Sequence, residues 1–409
     1  MAINLTPISE KNLLPVMGVT LGSAKAGIKK PDRYDLMLML FSEGTEVAGV
    51  FTQNQFCAAP VTICRERLNA GKKIRALCVN TGIANAGTGQ AGIDHAIEIC
   101  DAAARLLEIH QEAVLPFSTG VIMEHLNPEK IVVALPLCMD ALAINGWQTA
   151  AQAIMTTDTM AKAASSQCVI GGQAVTITGI AKGSGMICPN MATMLGFIAT
   201  DACIDTKTLD HLVKKVANHS FNLITVDGDT STNDSLIIAA TNQADHRKIT
   251  DTASADYQIL CQAVTEVALE LAQSIVRDGE GATKLITIDV VNANTVEEAH
   301  RVAKSIAHSP LVKTAFFASD PNLGRILSAI GNSGINELDT AKLKLWLNDV
   351  LVAESGGRAT SYQEEAGQRV MNEAEILVTV DLARGNAQSR CFTCDLSYEY
   401  VRINADYRS

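Results

Sequence analysis

Strand-like and helix-like runs alternate along most of this 409-residue chain, and that alternation narrows its fold more than any other feature. Strands interleaved with helices over short connections bury their apolar faces as sheets stacked and covered by helices. KIRALCVN (73–80) reads as a strand, followed by a glycine-rich loop and a helix through IDHAIEICDAAARLLEI. VLPFST (114–119) reads as a short buried strand, and helices are expected over 128–143 and 146–163. CVIGGQAVTITGIAKG (168–183) reads as a hairpin turning at Gly171-Gly172, a residue pair suited to a two-residue turn. A strand over MLGFIAT, a helix over TKTLDHLVKKVANHSF, strands over LITVDGD and SLIIAAT, and a helix over 255–276 follow.

Near residue 284 the pattern restarts with LITIDVV, a helix over 295–307 and TAFFA. Strand-like LKLWL, EILVTVDL and CFTCDLSYEYVRI close the chain. The expected class is α/β (α+β) with layered sheets, divided into domains over 1–285 and 286–409.

The net charge is 33 − 44 = −11, with no Lys/Arg cluster, which argues against nucleic acid or an anionic membrane as partner. MAINLTPISEKNLLP lacks the basic start and apolar core of a signal peptide, and no uninterrupted apolar run approaches the roughly 20 residues of a spanning helix. Eleven scattered cysteines fit reduced thiols, so the expected location is cytoplasmic. Cys391-Phe-Thr-Cys394 alone has metal or redox spacing, but no second pair accompanies it; it reads as two ordinary strand cysteines.

Several motifs invite a ligand and are better read as structure. Gly87-Thr-Gly89-Gln-Ala-Gly92 matches the dinucleotide fingerprint, but TGIANA separates it from its strand, and a loop needing positive φ fits better. No phosphate-binding G-x-x-x-x-G-K-[ST] occurs. Asp227-Gly-Asp229-Thr-Ser-Thr-Asn-Asp234 carries three carboxylates, yet position 12 of a calcium loop would be Ile238, so a hydroxyl-rich turn between strands is expected. In Asp278-Gly-Glu280-Gly-Ala-Thr-Lys284, a ligand-facing loop and an exposed helix stop fit equally well. The eight histidines form no H-x-x-x-H pattern, which leaves a histidine triad or zinc hydrolase without local support. No metal is expected.

Thr193 has two readings on the residues alone. In the first, it is a β-branched residue opening a buried strand. In the second, the chain is cut before it, which places an α-amine on the residue that carries the hydroxyl. An α-amine titrates at about 7.7–8, against about 10.4 for lysine, so a useful fraction is free base at neutral pH. Threonine with its own N-terminal amine is a recognised nucleophile–base pair. The cut can use the same parts: the Thr193 hydroxyl attacks the Ala192 carbonyl, and water releases the resulting ester. The small Ala192 and the glycines of KGSG leave room for that shift.

KGSGMICPNMATMLGF, STGVI (118–122), MTTDT (155–159), FNLITVDGDTSTNDS, RDGEGATK, DPNLGRI (320–326) and the terminal INADYRS resemble the ornithine acetyltransferase family, also called glutamate N-acetyltransferases. The resemblance runs from about residue 15 to the last residue. It implies a layered α/β fold shared with self-processing aminopeptidases, and a precursor that cleaves itself between Ala192 and Thr193. The α chain (1–192) and β chain (193–409) would stay together, typically as α2β2. Thr193 would be the nucleophile, with Thr119 and Gly120 the oxyanion hole. Thr156, Lys182, Glu280, Asn404 and Ser409 match substrate-binding positions. Charge matching places Lys182 against the substrate carboxylate and Glu280 against an ornithine ammonium. The implied reaction passes acetyl from N2-acetylornithine to Thr193 and then to glutamate, ping-pong fashion, within cyclic arginine biosynthesis. No cofactor is implied, and acetyl-CoA use would add an amino-acid N-acetyltransferase activity. The rival on the same scaffold is a self-processing aminopeptidase or amidase.

The chain departs from the family pattern at Ser409, where threonine is usual, and at Leu323, where tryptophan commonly precedes Gly-Arg. Leu223 replaces an arginine, and TGIANAGTG replaces an asparagine-rich loop. These departures bear on pocket shape and acetyl-CoA use, not on Thr193, Thr119 or Lys182.

Overall fold

The computed structural model describes residues 2–188 and 194–406. Ala192, Thr193 and Ser409 therefore lie outside the described residues. The chain divides into two units: Thr6–Asn222 with Asp229–Ile275, and Met1–Leu5 with Leu223–Gly228 and Val276–Ser409.

In the larger unit, β1 (Val19–Ala24), β2 (Leu36–Phe41), β4 (Ala76–Ile83) and β5 (Val114–Val121) form one sheet. A second sheet has the order β3 (Glu46–Phe51), β9 (Ser235–Ala240), β8 (Leu195–Thr200), β7 (Gln173–Lys182), β6 (Lys162–Ile170). The two sheets share an apolar core in which Phe117 of β5 meets Phe197 of β8 edge-on, centroids 5.0 Å apart. Neighbouring strand residues point to opposite faces, so Leu36, Leu38 and Cys78 face away from that core. They pack with α2 (Gly89–Leu106) and α3 (Pro128–Asp140). Helices α1 (Ala59–Asn69) and α4 (Trp147–Ala153) contribute Val61 and Trp147 to the shared core. Beyond the second sheet lie α5 (Thr206–Asn218) and α6 (Ala255–Arg277), joined by a 2.7 Å hydrogen bond between His211 and the Tyr257 hydroxyl. By length and composition α6 is apolar enough to cross a membrane; in this unit its Leu271 packs at Gly179 of β7.

The sequence places β4, β5, β8, β9 and the hairpin correctly. Gly171 and Gly172 take φ of 58° and 82°, and Ile170 pairs with Gln173 across the turn. The expected helix over 146–163 stops at Ala153, and β6 already begins at Lys162. Hydroxyl and carboxylate groups of Met155–Thr159 bond the neighbouring backbone instead: Asp158 accepts the Thr156 N–H at 3.0 Å. LITVDGD is not a strand. After a short 3-10 turn at Phe221–Leu223, only an isolated bridge joins Ile224 to Phe392.

In the smaller unit β10 (Leu285–Ala293) lies parallel to β14 (Glu375–Asp381) and antiparallel to β15 (Ala387–Cys394). Strands β11 (Lys344–Leu347), β12 (Val350–Glu354) and β13 (Gly357–Arg358) extend the sheet beyond β14. Helices α7 (Val296–His308), α8 (Pro310–Phe317), α9 (Leu323–Gly331) and α10 (Glu364–Met371) accompany it, and α11 (Tyr398–Ala405) ends the unit. TAFFA is thus helical, because Ser309 caps the Val312 N–H and Pro310 occupies the first helical position. The second half of CFTCDLSYEYVRI is α11, not strand. Cys391 and Cys394, three apart on β15, face opposite sides, and both thiols are buried.

Candidate functional site

Three strand ends meet at one level of the second sheet. Lys182, last in β7, pairs with Leu195, first in β8, which pairs with Ser235, first in β9. From the facing sheet, β5 brings Thr119 to the same place: the Lys182 ammonium donates to the Thr119 Oγ1 at 3.0 Å and to the Thr156 Oγ1 at 3.2 Å. A hydroxyl that accepts from an ammonium still has its own proton to donate. Thr119 and Thr156 are therefore donors backed by a cation.

Gly120 follows Thr119 with φ of 133°. A Cβ there would lie 2.2 Å from the Gly82 carbonyl carbon on β4, so neither the conformation nor the space admits a side chain. Gly82 and Gly120 are register partners at an irregularity in the β4–β5 ladder, where the end of β5 is reshaped.

Behind Lys182 sits a buried ion pair. Asp158 Oδ1 accepts from the Lys162 ammonium at 2.7 Å and from the Gly183 N–H at 2.7 Å, with both charged side chains fully buried. Burial opposes the Asp158 charge, but Lys162, Lys182 and the Thr156 N–H outweigh it and hold the carboxyl below its ordinary range. Thr157 and Ser184 hydroxyls, 2.7 Å apart, tie the same two segments together.

The hydroxyl-rich loop before β9 completes the site. Thr230 donates to the Cys188 carbonyl at 3.1 Å, and the Ser235 N–H donates to the Met194 carbonyl at 2.8 Å. One short segment thus holds both residues that flank 189–193. Asn233 donates to the Ser118 carbonyl at 2.9 Å, fixing the loop to β5. Asp234 is 2% exposed, and burial raises its carboxyl well above the ordinary range against Ser231, Lys182 and Thr52. Thr119, Lys182, Met194, Ser231 and Asp234 line a cavity of about 30 Å³, room for a water-sized group.

Glu280 and Asn404 belong to the smaller unit. The Asn404 amide donates to the Glu280 Oε2 at 2.8 Å. Gly281, with φ of 71°, passes so close to α11 that a Cβ would lie 2.5 Å from the Tyr400 nitrogen. The Ser397 hydroxyl donates to the Gly281 carbonyl at 2.6 Å, so the DGEG loop and α11 form one piece.

The dinucleotide-like glycines divide between loop and helix. Gly87 in the loop and Gly89 at the first position of α2 have positive φ, but Gly92 lies inside α2. There a Cβ would lie 1.9 Å from the Thr88 Oγ1, beneath the hydrogen bond from the Asn85 amide to the Gly92 carbonyl. Among the described residues, no group of three or more His, Cys, Asp or Glu side chains is arranged to hold a metal ion.

Residues 20–409 match the ArgJ family. The chain belongs to it. ArgJ proteins are acetyltransferases of arginine biosynthesis. Among solved structures, the arginine biosynthesis bifunctional protein ArgJ of Bacillus halodurans is 39% identical with a TM-score of 0.48, over 50% of this chain and 95% of that one. The ornithine acetyltransferase of Mycobacterium tuberculosis, solved with ornithine, is 33% identical with a TM-score of 0.38, over 44% and 94%. An l-aminopeptidase d-ala-esterase/amidase of Ochrobactrum anthropi is 12% identical with a TM-score of 0.40, over 68% and 90%. Asp158, Lys162 and Asp234 were not singled out from the sequence of this ArgJ chain as site residues. The only local signal was the place of Asp158 inside MTTDT and of Asp234 inside TSTND; Lys162 lies outside both.

Proposed function

We propose that the chain is a glutamate N-acetyltransferase that carries acetyl from N2-acetylornithine to glutamate on Thr193, after cutting itself between Ala192 and Thr193. The observation that carries this reading is the Lys182–Thr119–Thr156 cluster at a cavity lined by Met194, the residue covalently bonded to Thr193. In this scheme the Thr193 amine takes the hydroxyl proton and Oγ attacks the acetyl carbonyl. Charge develops on the carbonyl oxygen, where the Thr119 hydroxyl and the Gly120 N–H would donate. Ornithine leaves, glutamate enters the same pocket, and its amine attacks the acetyl-threonine. Lys182 would face the α-carboxylate common to both substrates. Glu280, oriented by Asn404, would bind the ornithine ammonium.

The test is N-terminal sequencing and a two-substrate assay on one sample. A fragment beginning TMLGF and acetylornithine consumption that depends on glutamate are expected. Consumption equally fast without glutamate would make the protein an amidase instead. Including acetyl-CoA as an alternative donor shows whether the enzyme has a second activity.

A further inference from the structure

In the proposed scheme Glu280 tells the two substrates apart, because ornithine ends in an ammonium and glutamate in a carboxylate. Glu280 sits between Gly279 and Gly281. Glycine restricts its own backbone least, so a carboxylate carried there keeps one direction only if contacts from outside the loop impose it. The Asn404 amide supplies one such contact, to the carboxylate itself. It leaves the backbone beneath that carboxylate to be fixed by other groups.

Those groups lie between β15 and α11. Asp395, 2% exposed, directly follows Cys394 at the end of β15. Its Oδ1 accepts from the Thr283 N–H at 2.8 Å and from the Lys284 N–H at 2.9 Å, and its Oδ2 accepts from the Thr283 hydroxyl at 2.5 Å. Both its oxygens are thus engaged with the chain that follows Glu280, through bonds of the stronger kind that a carboxylate makes with N–H and O–H donors. Two residues on, the Ser397 hydroxyl donates to the Gly281 carbonyl. Past Thr283 the chain is anchored again, where the Lys284 ammonium donates to the Ser319 Oγ at 2.7 Å and to the Met371 carbonyl.

We propose that Asp395 and Ser397 are positioning residues for Glu280, and that through it they set recognition of a substrate side chain ending in an ammonium. The inference rests on the Glu280 assignment above. Both residues act on the loop backbone, and a misplacement of about 1 Å in a binding group can cost up to about 10²-fold. Glutamate makes no use of the Glu280 carboxylate in this scheme, so its half-reaction is spared.

The test is steady-state kinetics of the purified full-length enzyme with N2-acetylornithine and glutamate. In a ping-pong reaction kcat/KM for each substrate reports its own half-reaction, and the ratio of the two is the quantity read. Glu280→Gln is expected to lower kcat/KM for acetylornithine relative to glutamate by at least about 10-fold, the scale of a hydrogen bond to a charged group. Ser397→Ala should lower the ratio about 5-fold, the scale of one neutral hydrogen bond, and Asp395→Leu at least as much. Asp395→Asn keeps an acceptor for both backbone N–H groups and can donate to the Thr283 oxygen, so it should hold the wild-type ratio. A general loss of structure slows both half-reactions and leaves the ratio where it was. In the Glu280→Gln background Ser397→Ala should lower the ratio no further, because its effect runs through a charge already removed.

A ratio that Glu280→Gln lowers but Ser397→Ala and Asp395→Leu leave unchanged overturns the proposal while the Glu280 assignment stands. An additive loss in the double variant overturns it too, as does a loss in Asp395→Asn equal to that in Asp395→Leu, which would mean that the charge acts directly. If Asp395→Leu shows no cooperative melt, Ser397→Ala and the double variant decide. A ratio unmoved by Glu280→Gln overturns the Glu280 assignment, and this inference with it.

Discussion

Thr119 is buried on β5 and its hydroxyl accepts from Lys182, so its loss can be separated from any loss of shape. Thr119→Val keeps the volume and removes the donor. Turnover of acetylornithine should fall about 10²–10³-fold with an unchanged thermal midpoint. Under the proposed scheme Lys182→Met should raise KM for acetylornithine and glutamate together, because one cation would serve the shared carboxylate end; a rise for one substrate alone would refute a common site. Thr193→Ala should abolish cleavage and turnover, whereas Thr193→Ser should still cleave, more slowly, by mass spectrometry.

At the scale of elements, the site depends on the buried Asp158–Lys162 pair that joins the 155–159 segment to the end of β7. Removing one partner strands a buried charge, so Lys162→Met should destabilise the fold by about 3–5 kcal/mol, read as a shifted denaturant midpoint. Because the folded Asp158 carboxyl lies below its ordinary 3.8, its contribution is complete at neutral pH and fades only as pH falls below about 3.8. Strands β4, β5, β8 and the hairpin were legible because short apolar runs bounded by turn residues read as buried strands, and Gly171-Gly172 marks the turn. Helices α8 and α11 were not, since aromatic and β-branched residues such as TAFFA and YEYV suit either state. Only the Ser-Pro start of α8 gave a local helix signal. Thr119, Thr156 and Lys182 were found through the resemblance. Asp158 and Asp234 escaped because a carboxylate among hydroxyls looks like a solvated turn, and burial is decided by distant strands.

Across the whole chain, pH acts through groups outside the candidate chemistry as well. Burial, with Lys304 and Lys313, lowers His308 from 6.5 to about 4. The unfolded chain therefore binds the extra proton first, and stability should fall on acidification from about pH 6.5 to about pH 4, by about 1–3 kcal/mol. A His308→Asn variant should flatten that slope in melts across the range. Strand β8 has a further consequence. It lies between β7, which precedes the Ala192–Thr193 bond, and β9, which follows it. In the uncut chain both edges of β8 are supplied by one covalent chain. Under the proposed cut, the unfolded fragments have no tether, and the local concentration of one near the other is only that of the solution. An uncut Thr193→Ala chain should regain structure from urea with a half-time independent of dilution, whereas the cut protein should recover more slowly the more it is diluted.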